Sequence, residues 1–179
     1  MLHKIIAASL LSLVASVAWA AKPVYQSTFS GTQFHIASIS VSANEDVMSE
    51  TEFYDHRDVK QLQSALHKKM MSRLSKNNLI TDDGLRLELV ITNLKPNRPT
   101  LARYRSKPGI NFRSLSLGGA SVEGRFLNAA GEEVGTLNFT WEEQWLDQVQ
   151  GVTTWHDARY AFDRLSRKLV RDLAAQPDS

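Results

Sequence analysis

The hydrophobic patterning of this chain predicts an α+β fold with elements in the order β-α-β-β-β-α. The expected architecture is a small, mostly antiparallel sheet carrying two amphipathic helices on one face. Three observations carry the prediction. Val59, Leu62, Leu66, Met70 and Leu74 recur every three or four residues, the period of one buried helical face. Leu85, Leu87, Leu89 and Ile91 alternate with Arg86, Glu88, Val90 and Thr92, which is the period of a strand. A second helical stripe, Ala158, Ala161, Phe162, Leu165, Leu169 and Leu173, lies near the end, with Arg159, Arg164, Arg167, Lys168 and Arg171 on the opposite side.

The elements follow in order. Residues 1–20 have the form of a secretory signal: a basic start at Lys4, an apolar run from Ile5 to Val17, and small residues at Ala18 and Ala20. That run is short for a membrane span of about 20 residues. Cleavage is expected after Ala20 or Ala21. Residues 21–32 are read as an extended leader, and residues 33–175 as a single α+β domain. The first strand is placed at 33–41 by Ala37, Ile39 and Val41, and residues 42–52 form a polar, acidic loop. Asp55, with Asp58 three positions on, is an N-cap for the first helix, and Asn77-Asn78 stops it. Asp82-Asp83-Gly84 turns into the alternating strand, which Pro96 and Pro99 end. No period is visible over 94–117. Strands resume from about Gly118 to Leu127 and from Val134 to Trp141, joined by a hairpin turn at 128–131. Thr154, with Asp157 at the third position, has the form of a capping box opening the last helix.

Composition narrows function. The 179 residues are 42% hydrophobic and 22% charged, so the chain can bury a core, and the net charge of +2 gives no strongly basic global footprint. No cysteine is present, which removes thiolate chemistry, disulfides, cysteine-based metal sites and a lipid-anchor cysteine. The expected location is therefore the periplasm, without a lipid tether. No serine lies in a G-x-S-x-G elbow, no histidine pair has metal-ligand spacing, and Gly118-Gly119 with Gly124 is not a dinucleotide fingerprint. No catalytic residue, metal site or cofactor is assigned, and the chain is read as non-enzymatic. His156 beside Asp157 is the one arrangement that suggests hydrolytic chemistry, although Asp157 already has a capping role.

The most unusual local feature is the stretch 95–113. It carries Lys95, Arg98, Arg103, Arg105, Lys107 and Arg113 with no acidic residue, interleaved with Tyr104, Phe112 and three prolines. Guanidinium groups match phosphate or carboxylate as a fork, and aromatic faces add stacking. An aperiodic stretch this long inside one domain is uncommon unless it functions. The expectation is a contact surface for an anionic envelope component or an acidic partner protein, and the export signal argues against nucleic acid. Internal neutralisation is the competing explanation, because Glu45, Asp46, Glu50, Glu52, Asp55 and Asp58, and then Glu142, Glu143 and Asp147, supply counter-charge. Two further readings stand beside it: a periplasmic hydrolase, and a structural envelope protein that assembles by edge-strand pairing.

Arg98-Pro99-Thr100, the run from Ser114 to Gly124, Trp155-His156-Asp157-Ala158 and Ala161-Phe162 together carry a resemblance. Over roughly residues 85–173 the chain resembles a domain-of-unknown-function family of exported proteobacterial proteins, many of them lipoproteins. The matched positions imply structure, a Gly-Gly-Ala strand opening and the start of a final helix, and bring no catalytic residues. The chain departs from the lipoprotein members by lacking a cysteine after its signal.

Overall fold

The computed structural model describes residues 24–30, 34–50, 52–149 and 153–175; the signal segment read at 1–20 lies outside them. The protein is an α+β fold built on a mixed five-stranded sheet. Its strands are β1 (Val24–Phe29), β2 (Ile36–Ala43), β3 (Leu85–Lys95), β4 (Gly119–Leu127) and β5 (Glu133–Glu142), in spatial order β1-β5-β4-β3-β2. Two long helices, α2 (His56–Lys76) and α4 (His156–Ala174), cover one face. Two short ones, α1 (Glu45–Ser49) and α3 (Leu101–Ser106), were not expected from the sequence.

The helical stripe of α2 is the one the spacing predicts. Val59, Leu62, Leu66, Met70 and Leu74 are all buried against the sheet and α4. At about 1.5–3 kcal/mol for each fully buried aliphatic side chain, this face alone supplies much of the drive for docking. The Asp55 carboxylate accepts the backbone N–H groups of Arg57 and Asp58, and Asp58 reaches back to the N–H of Asp55, completing a capping box. Asn77 closes the helix as expected.

Because α2 carries the chain from β2 to β3 across the same face, these two strands run parallel. The other three pairings are antiparallel, and β3, β4 and β5 form a meander. Leu87, Leu89 and Ile91 of β3, Val122 and Phe126 of β4, and Leu137 and Phe139 of β5 point under the helices. The opposite face is open and polar. There Glu88 pairs with both Arg86 and Arg125, and Thr28 meets Thr136.

Three expectations need correction. Residues 24–29 are a strand of the sheet rather than a leader outside the domain: β1 pairs along β5, from Val24 opposite Thr140 to Phe29 opposite Gly135. Its inward positions are Tyr25, Ser27 and Phe29, so a serine breaks the apolar alternation. That serine is used, since its hydroxyl donates to Asp172 of α4 at 2.7 Å. The loop read at 42–52 contains α1, capped by Asn44 and seated by the single buried residue Val47. Finally, Thr154 does not cap α4. Trp155 is the N-cap residue and makes no side-chain cap bond. Asn97, 60 positions before Asp157 and just past the end of β3, takes over: its Oδ1 accepts the Asp157 N–H at 2.9 Å.

Candidate anion-binding surface

Between β3 and β4 the chain leaves the sheet for residues 96–118 and crosses the N-terminal ends of α2 and α4. The root of this excursion is fixed by buried hydrogen bonds. Asn97 is fully buried; its amide donates to the Asp157 carboxylate and to the Ser116 carbonyl, and its backbone N–H donates to the Thr154 carbonyl at 2.7 Å. The Asp157 carboxylate also accepts the Gly118 N–H at 3.2 Å. A Cβ on Gly118 would lie 2.7 Å from the Asn97 amide, and one on Gly119 would strike the Trp141 carbonyl, so both positions need glycine for close approach. A neighbouring turn is tied in the same way. The Thr100 hydroxyl donates to the Phe53 carbonyl, and the Trp155 indole N–H donates to Asp58 at 3.1 Å. Tyr54 packs edge-on against Trp155.

The crest above this root is different. Thr100 caps α3 through the Arg103 N–H, and a single buried residue, Ala102, seats that helix. Beyond it Tyr104 and Phe112 stack with centroids 4.4 Å apart, both well exposed. Leu101 at 56%, Leu115 at 37% and Leu117 at 38% exposure surround them. These five apolar side chains are exposed within one stretch of the chain, residues 101–117.

The structure divides the six cations singled out in the sequence. Lys95, at the end of β3, donates to Glu142 at 2.7 Å. Arg103 pairs with Glu52 and lies 4.3 Å over the Phe53 ring. Arg98 is half-buried before α3 and is already engaged. Internal neutralisation thus describes Lys95 and Arg103, and the acidic groups responsible belong to the two stretches the sequence pointed to. Arg105, Lys107 and Arg113 are exposed on the crest and form no ion pair among the described residues.

Beside the crest, a groove of about 430 Å³ runs between α1 and the end of β3, with Asp46, Glu50, Phe53, Tyr54, Lys95 and Leu117 in its lining. Burial pushes the Tyr54 hydroxyl up to about 12, and the charge of Glu50 adds to the effect. No residue pattern pointed to this groove, because its walls come from segments about forty residues apart that only the fold brings together.

The pair suggested for hydrolysis is not assembled. His156 is exposed, whereas the Asp157 carboxylate turns inward to Asn97 and Gly118. Among the described residues, no three histidine, aspartate or glutamate side chains converge as metal ligands would, and no helix is long and apolar enough to cross a membrane.

No protein-family profile and no curated protein matches the chain. Among solved structures it is similar to a PelC dodecamer from Paraburkholderia phytofirmans, at 10% identity and a TM-score of 0.48, over 87% of this chain and 100% of that one. That distance bears on neither family nor function.

Proposed function

We propose that this chain is a non-enzymatic periplasmic protein that docks on the phosphate headgroups of an anionic envelope membrane through the crest of residues 101–117. One observation carries the reading: Arg105, Lys107 and Arg113, three cations with no ion pair among the described residues, stand among the exposed side chains of Leu101, Tyr104, Phe112, Leu115 and Leu117. Aromatic and aliphatic groups enter the interfacial region while guanidinium and ammonium groups meet phosphate. The buried root supports the same reading, since a surface held rigidly in place loses little conformational freedom on binding. The export pattern of residues 1–20 supplies the compartment.

Vesicle flotation tests the proposal. The full chain should float with vesicles containing phosphatidylglycerol and remain unbound with pure phosphatidylcholine. Arg105→Ala/Lys107→Ala/Arg113→Ala should lower partitioning on the order of a hundred-fold, at about 1 kcal/mol per basic residue near an anionic surface. Raised salt should reduce wild-type binding. Equal flotation of the wild type and the triple variant would overturn the proposal.

A further inference from the structure

A second charged surface lies on the flank of α4, away from the crest. The helix places Arg164, Lys168 and Arg171 along one side, spaced over about 10 Å of helix rise. The nearby acids are occupied otherwise. Asp163 holds Lys69, Arg73 and Arg167, and Asp172 accepts the Ser27 hydroxyl. Arg164, Lys168 and Arg171 therefore face a hollow of about 380 Å³ with no carboxylate partner among the described residues. The Nε of Arg164 is buried and has no acceptor there. Cations gathered without counter-charge favour an anionic ligand.

The hollow continues into a second one of about 290 Å³, and the two share Tyr160 and Arg164 in their walls. This continuation is aromatic. Trp141 and Tyr160 meet edge-on at 4.9 Å, the Arg164 guanidinium lies within 6 Å of both rings, and Trp145 is 68% exposed. Glu143 fixes the Trp145 turn by accepting the N–H groups of Gln144 and Trp145, and Glu142 lines the same wall. Aromatic faces flanked by carboxylates suit a sugar ring: its C–H face stacks on the indole and its hydroxyls donate to the acids. An oligodeoxynucleotide has no free ring hydroxyls along its length to donate to these acids, so the aromatic end favours the sugar.

We propose that these joined hollows form a binding site for an acidic oligosaccharide, with a sugar ring on the Trp145–Tyr160 shelf and its carboxylates on Arg164, Lys168 and Arg171. The site is independent of the crest and of its membrane role.

Tryptophan fluorescence titration of the full chain with tetragalacturonate tests it, with neutral galactotetraose and oligothymidylate as comparisons. Wild-type protein should bind tetragalacturonate saturably, and the two comparison ligands on the order of ten-fold more weakly. Lys168→Ala/Arg171→Ala and, separately, Trp145→Ala should each weaken binding by about ten-fold, equivalent to 1.4 kcal/mol. Calorimetric titration repeats the Trp145→Ala measurement without relying on its emission. Arg171 and Trp145 are exposed and Lys168 is half-buried over the Tyr25 ring, so matched thermal midpoints are required to confirm that both variants are folded. Arg105→Ala/Lys107→Ala/Arg113→Ala should bind the sugar as the wild type does. Absent saturable binding, unchanged affinity in either variant, or loss in the crest variant would overturn the site. Oligothymidylate binding as tight as tetragalacturonate would also overturn it, leaving only a general polyanion patch.

Discussion

The root and the crest of the 96–118 excursion are adjacent in sequence and opposite in character. At the root, polar groups are buried and partnered: Asn97 and Gly118, near the two ends of the excursion, both bond to Asp157 of α4. At the crest, charged and aromatic groups are exposed, and three cations have no ion-pair partner among the described residues. The difference separates holding from contact. Root residues are expected to govern stability with little direct effect on binding, and crest residues the reverse.

The largest expected effect breaks the root. Asp157→Ala leaves the Gly118 N–H without its acceptor and the Asn97 amide with only the Ser116 carbonyl in a buried site, and should destabilise the protein by about 2–4 kcal/mol in urea denaturation. Asn97→Asp is expected to be at least as severe, because it sets a second carboxylate against the first. Next comes a second acid of α4, Asp163. Partial burial alone would raise the Asp163 carboxyl, but hydrogen bonds from Arg73 and Lys69, with the charges of Arg73 and Arg167, hold it below the usual range. Its stabilising contribution is therefore present at neutral pH and is lost as pH falls through the depressed folded value. Asp163→Ala should cost about 1–2 kcal/mol near neutrality and flatten the acid limb of a stability–pH profile.

Tyr54 sharpens the comparison at the alkaline end, since its ring packs on Trp155 at the root. Its raised folded pKa means that stability is intact below pH 10 and declines as pH rises from 10 towards about 12. Tyr54→Phe should remove that decline while changing neutral stability by less than about 0.5 kcal/mol. The smallest stability effect belongs to the crest. Arg105→Ala/Lys107→Ala/Arg113→Ala should move the unfolding free energy by no more than about 0.5 kcal/mol, while its vesicle partitioning should fall on the order of a hundred-fold.

The elements with a long, regular period were legible in the sequence. The five-position stripe of α2 and the alternation of β3 state their own geometry, and the Asp55 cap is a local interaction between near neighbours. Elements seated by one or two apolar contacts were not. Helices α1 and α3 each bury one residue, Val47 and Ala102, which leaves no period to detect. Strand β1 hides behind the inward Ser27, whose partner Asp172 is distant in sequence. At the candidate site, the cationic stretch was visible as composition. Which cations remain available depends on where Glu52 and Glu142 come to lie, and that is settled by tertiary packing. Asp157 shows the same limit: a local capping pattern gave way to a buried amide from another element.

The pairing of β1 with β5 has a kinetic consequence. Among the described residues, β1 pairs with β5 alone, near the far end of the chain, with Val24 opposite Thr140. Closing so long a loop carries an entropic cost that no local contact offsets, so β1 is expected to join last, after the β4–β5 hairpin has formed. Until then, one edge of β5 stays open to other chains, and vectorial emergence from the N-terminus prolongs that interval.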